Sequence, residues 1–145
     1  LPALVETVRD NVRASGARFL IDAYCGIGFF ALECPSLVER FAGVEIDRTA
    51  IKAARINQER RGISNGDFVA GAAEEWMPNL LQRFPADQTL VITDPPRVGC
   101  APAFLKALRE TRPAQILYVS CHPATLARDG ELAARQLHVG VGDLG

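Results

Sequence analysis

The sequence lacks any apolar run approaching the ~18 residues that would cross a bilayer, so no membrane-spanning helix is expected. It lacks paired CxxC cysteines: the four cysteines stand at 25, 34, 100 and 121, with spacings of 9, 66 and 21. That pattern excludes a zinc ribbon and a dense disulfide framework, so thiols in a reducing compartment are expected, and no metal. It lacks an excess of either charge. Sixteen Lys+Arg balance 17 Asp+Glu, a net charge of -1, which excludes gripping nucleic acid by bulk charge alone and leaves room for a local basic patch. Arginine outnumbers lysine 14 to 2, read here mainly as compositional bias. Internal repeats, low-complexity tracts and linkers are absent. The opening LPALVETVRD lacks the basic-then-apolar layout of a signal peptide, so a cytoplasmic location is expected.

What is present is ordinary globular material, 48% hydrophobic and 23% charged. A chain of 145 residues is about one domain, able to bury a core without staples. Leu4, Val5, Val8 and Val12 follow Pro2 at helical spacing, and Gly16 stops that helix. Apolar runs at residues 18–23 (RFLIDA), 42–46, 67–70, 89–93 (TLVIT) and 115–120 (QILYVS) read as strands. Between them lie helical patterns at residues 29–40 (interrupted by Pro35), 48–62 behind the N-cap Asp47, 74–84 (broken by Pro78) and 103–110; a further one covers 123–136. Apolar strands alternating with helices predict a parallel, doubly wound α/β sheet covered on both faces. Ligands of such folds lie beyond the carboxyl ends of the strands.

The segments at those ends carry the chemistry. After the first strand, DAYCGIGFF places Gly26 and Gly28 in a GxG turn that lets a ligand approach the backbone. After the second, Glu45 is placed to accept hydrogen bonds from a ribose diol. Turn and acid together fit a nucleoside-containing cofactor, and NAD and S-adenosylmethionine both remain open on that pairing. After the fourth strand, DPPRVGC puts Asp94 at the mouth of the site, with Arg97 on a proline-stiffened loop, suited to a phosphate or carboxylate. After the fifth, YVSCHPATLARD places Cys121 just before a helix N-terminus, where thiolate is favoured; read alone, a buried inert cysteine is the better account of it. His122 reads as structural.

In this order, DAYCGIGFFAL, GVEID, DPPRVGC and YVSCHPATLARD resemble the RNA uracil-5-methyltransferase family over about residues 1–136. The resemblance implies a Rossmann-like class I methyltransferase fold and methyl transfer from S-adenosylmethionine to carbon 5 of a uridine in transfer or ribosomal RNA. It implies that Tyr24, Gly26, Gly28 and Phe29 line the cofactor pocket and that Glu45 holds the ribose. Asp94 would sit between cofactor and target base, Cys121 would be the nucleophile, and Arg97 would meet substrate. Phe29, Ala72 and His122 depart from the residues common at those places in the family. The family sheet has seven strands and its general base is a C-terminal Glu. Five strands and no matching Glu are evident here, so residues 1–145 are expected to be a methyltransferase domain shortened at its C-terminal strands, a fragment of a longer protein. Two alternatives accompany this reading: a cofactor-binding or RNA-interaction fragment without catalysis, and a nicotinamide-dependent oxidoreductase.

Overall fold

The computed structural model describes residues 2–94 and 99–119. Its centre is a five-stranded sheet in the order β3-β2-β1-β4-β5, with every neighbouring pair parallel. The strands are β1 (Phe19–Ala23), β2 (Arg40–Glu45), β3 (Gly66–Ala70), β4 (Thr89–Thr93) and β5 (Gln115–Tyr118). β1 is the middle strand and all five of its residues are buried, which explains its unbroken apolar run apart from Asp22.

Strand alternation divides the core into two layers. Phe19, Ile21 and Ala23 of β1 pack with Met77, Leu80, Phe104 and Leu108 from helices α3 (Ala73–Arg83) and α4 (Pro102–Thr111). Leu20 of β1 packs on the other face with Leu4, Val8 and Val12 of α1 (Pro2–Ser15) and Ile51 and Ala54 of α2 (Arg48–Arg60). The doubly wound α/β fold expected from the sequence is therefore present. Among the described residues β5 is an edge of the sheet, and no helix is long and apolar enough to cross a membrane.

Helix ends follow local chemistry. Gly16 ends α1 with φ +66, a left-handed conformation that costs glycine little. The Asp47 carboxylate accepts the backbone N–H groups of Thr49 and Ala50 at 2.9 and 3.3 Å, capping α2 as its sequence position suggested.

Two expectations are corrected. Residues 29–40 do not form a helix. They make two single 3-10 turns, Ala31–Glu33 and Pro35–Leu37, before β2 begins at Arg40. Pro35 has no N–H with which to continue an α-helix, and Val38 is already extended (φ -133, ψ 161). The turn after β1 thus has no long helix pointing its N-terminus at the site. Pro78, conversely, does not break α3, which runs through it. Its missing N–H would have served Glu74, in the first turn, and its ring is exposed. The helix expected over residues 123–136 lies outside the described residues.

Candidate functional site at the carboxyl edge of the sheet

The chain leaves β1 through a tight loop with three left-handed residues, Tyr24 (φ 59), Gly26 (φ 56) and Gly28 (φ 86). Gly28 is required twice over: beyond its backbone angle, a Cβ there would lie 2.8 Å from the Phe68 ring. The loop is tied down at both ends. Cys25 N–H donates to the Val44 carbonyl at 2.9 Å, and Leu32 N–H donates to the Gly28 carbonyl at 2.9 Å.

Glu45, the last residue of β2, is half-buried. Its Oε1 accepts the Gly26 N–H at 3.1 Å and its Oε2 accepts the Asp47 N–H at 2.9 Å. One backbone donor on each oxygen fixes the carboxylate plane and leaves further lone pairs for other donors. Tyr24 turns toward α4: its ring meets Phe104 edge-on at 5.2 Å and its hydroxyl accepts the Ala101 N–H at 3.3 Å. Tyr24, Glu45, Ile46, Gly71, Ala72 and Ala101 line a cavity of about 170 Å³ at this edge. Ile46 is 73% exposed beside it, an apolar surface next to an acid.

Asp22 is the residue that sequence reasoning gave no role. It is fully buried, yet among the described residues its Oδ1 has no hydrogen-bond partner. Oδ2 accepts the Ala31 N–H at 3.0 Å, which holds the first 3-10 turn against β1. Burial pushes the carboxyl up to about 8, and the charges of Asp94 and Glu45 push the same way. The available signal was an acid inside the otherwise apolar FLIDA. Asp94, the residue after β4, is exposed, but partial desolvation at the strand end still raises its carboxyl above the usual carboxylate range.

The structure thus brings Tyr24, Gly26, Glu45 and Asp94 to one edge, with Asp22 beneath them. Gly28 and Phe29 are placed elsewhere: with Ile27, Leu32, Asn57 and Arg61 they line a second cavity of about 260 Å³, against the end of α2. Arg97 and Cys121 lie outside the described residues. Cys25, Cys34 and Cys100 are buried thiols. Burial pushes Cys25 far above and Cys34 up to about 12, which makes both inert.

An open parallel sheet with a glycine turn after its first strand and an acid after its second defines a doubly wound α/β domain of the nucleoside-binding kind. Within that class, the chain belongs to the tRNA (uracil-5-)-methyltransferase family, whose profile matches residues 4–138. It is 43% identical over 126 residues to an uncharacterized RNA methyltransferase of Thermosynechococcus vestitus, covering 87% of this chain and 27% of the relative. It is 37% identical to the tRNA (uracil(54)-C(5))-methyltransferase of Saccharomyces cerevisiae, over 97% of this chain and 22% of the relative. Among solved structures, the Pyrococcus abyssi tRNA (uracil-54, C5)-methyltransferase in complex with S-adenosyl-L-homocysteine superposes with a TM-score of 0.74 at 29% identity, covering 90% of this chain and 31% of that one. The chain therefore spans between 22% and 31% of the length of these relatives. A precorrin-6y C5,15-methyltransferase of Geobacter metallireducens shares the fold, with a TM-score of 0.66 at 17% identity.

Proposed function

We propose that this chain is the cofactor-binding core of an S-adenosylmethionine-dependent enzyme that methylates carbon 5 of a uridine in transfer or ribosomal RNA. The observation that carries the reading is the Glu45 carboxylate, oriented by Gly26 and Asp47 in the wall of the edge cavity, in a member of the uracil-5-methyltransferase family.

The residues fit the cofactor. A ribose diol needs an acceptor with free lone pairs beside the glycine turn, and Glu45 offers one. A cationic ligand suits an edge where Asp22, Glu45 and Asp94 meet and where one carboxylate oxygen, Asp22 Oδ1, lacks a partner. S-adenosylmethionine supplies an electrophilic methyl group when bound. Tyr24 walls its pocket and Gly26 holds the Glu45 carboxylate in place, with Ile46 and Ala72 offering apolar surface to the adenine. Phe29 braces the turn from the second cavity.

Uracil carbon 5 is a weak nucleophile, so the chain must first activate it. In this reading the Cys121 thiolate adds to carbon 6, forming the S–C6 bond and an enolate nucleophilic at carbon 5. After carbon 5 is methylated, a base takes its proton, the electrons return to the ring, and the thiolate leaves. Asp94 stands between cofactor and base, and Arg97 meets the substrate. The target base must leave its stack to reach this edge.

The test uses RNA carrying 5-fluorouridine with S-adenosylmethionine. Fluorine cannot leave as a proton, so a covalent adduct stable to a denaturing gel is expected, mapping to Cys121 and absent from Cys121→Ala. An adduct that persists in Cys121→Ala removes that residue from the nucleophile role. Cofactor binding without any adduct on the tRNA and rRNA substrates rejects the catalytic reading for this chain.

A further inference from the structure

Three carboxylates stand near the carboxyl ends of the three central strands. Asp22 of β1 lies in register with Gly43 of β2 and Ile92 of β4. Glu45 and Asp94 each follow those partners by two residues, so strand alternation gives all three acids the same side of the sheet. Among the described residues the cluster holds little countercharge. Asp94 and Glu45 both disfavour ionisation of Asp22, and among the described residues the favourable contact is the Ala31 N–H on Oδ2. Of the groups on that side, Cys25 and Cys34 are thiols that feel the Asp22 charge. Arg9 of α1 acts on Cys34 and donates to the Glu33 carbonyl rather than to Asp22. Asp22 is nonetheless fully buried, with Oδ1 lacking a partner among the described residues. A buried acid in such company favours its protonated form.

Resting on the cofactor reading above, we propose that Asp22, with Glu45 and Asp94, senses the charge of the bound cofactor. Binding of the sulfonium cation S-adenosylmethionine drives the Asp22 proton into solvent. Binding of S-adenosylhomocysteine, the uncharged thioether left after methyl transfer, does so less. Affinity for donor relative to product then rises with pH, because at high pH the donor no longer has to displace the proton. The device favours exchange of spent product for fresh donor. Asp22 acts here as a specificity-determining group.

The experiment is calorimetric titration of the purified protein with each ligand between about pH 6.5 and about pH 9, in buffers of different ionisation enthalpy. Wild type is expected to release more protons with S-adenosylmethionine than with S-adenosylhomocysteine near neutral pH. Its donor-to-product affinity ratio should rise about fivefold or more across the range, the scale of one nearby charge in a partly shielded site. In Asp22→Asn the ratio should change less than about twofold by the same reasoning. Both ligands carry an amino-acid end whose own titration persists in the variant, so the difference between the two proteins isolates Asp22. Equal proton release for both ligands in wild type overturns the proposal, whether or not the variant folds. So does a ratio that rises in parallel in the two proteins. Failure of either ligand to bind wild type instead overturns the cofactor reading itself.

Discussion

The Gly26 backbone N–H donates to Glu45 Oε1 across 3.1 Å, joining the turn after the first strand to the end of the second. The other oxygen of the same carboxylate takes the Asp47 N–H, and Asp47 in turn caps α2. One side chain therefore sets the glycine turn, the start of a helix and the wall of the edge cavity.

Removing that carboxylate should act on ligand and loop together. Glu45→Ala is expected to weaken S-adenosylmethionine binding by ~1.5–3 kcal/mol, the scale of hydrogen bonds to a charged group, or roughly 10- to 150-fold in Kd. Glu45→Gln keeps one acceptor and should fall between wild type and the alanine variant. Calorimetric Kd values check the order. An unchanged Kd in the alanine variant refutes the ribose assignment.

Gly43, beside Asp22 in the sheet, has no room for a side chain. A Cβ there would come within 2.5 Å of the Phe68 ring and 3.0 Å of Cys25 Sγ. Phe68 is buried and packed against Phe41, with ring centroids 5.6 Å apart, so it has little freedom to retreat. Gly43→Ala should cost ~1–3 kcal/mol of stability, as overpacking of a core does. Urea denaturation measures it, and a stability equal to wild type would show that the Phe68 ring can move aside.

Two contacts of Tyr24 are separable, the ring edge on Phe104 and the hydroxyl that accepts the Ala101 N–H. Tyr24→Phe removes the hydroxyl and keeps the ring, and should cost ~0.5–1.5 kcal/mol or more. Tyr24→Ala loses both and should cost more, since an aromatic pair adds ~0.5–1.5 kcal/mol beyond its buried area. Denaturant midpoints of the two variants decide; equal losses would mean that the ring contact contributes nothing.

These residues also show what a sequence discloses and what it hides. β1 and β4 were legible because central parallel strands are buried on both faces, so their runs are apolar but for Asp22 and the terminal threonines of β4. The Asp47 cap was legible because it depends on chain position and local donors, and Glu45 was legible as the acid that ends β2. Residues 29–40 were not: their apolar spacing suits a helix, but Pro35 and an early β2 leave space for two short turns only. The direction of the Phe29 side chain was hidden too, because it follows the backbone angles of the turn rather than any spacing. Asp22 stayed unassigned because its meaning comes from partners distant in the chain, Ala31, Glu45 and Asp94.

Asp22 also makes the cofactor-free fold pH-dependent. Its carboxyl sits at about 8 in the fold, against the ordinary carboxylate value in the unfolded chain. Between about pH 4 and about pH 8 the folded chain therefore keeps a proton that the unfolded chain has lost. Its contribution to stability is fullest at the acid end of that window and declines as pH rises through it. Asp22→Asn resembles the protonated acid in shape, keeps an acceptor for the Ala31 N–H, and cannot ionise. The variant is expected to match wild type near about pH 4 and to exceed it increasingly toward about pH 8.5. The gap should reach ~1 kcal/mol or more, roughly 3–6 °C in Tm for a domain of this size. Thermal melts of both proteins across that range, without cofactor, provide the check. Parallel curves would mean that Asp22 is ionised in the fold, with a partner on Oδ1 that stabilises its charge.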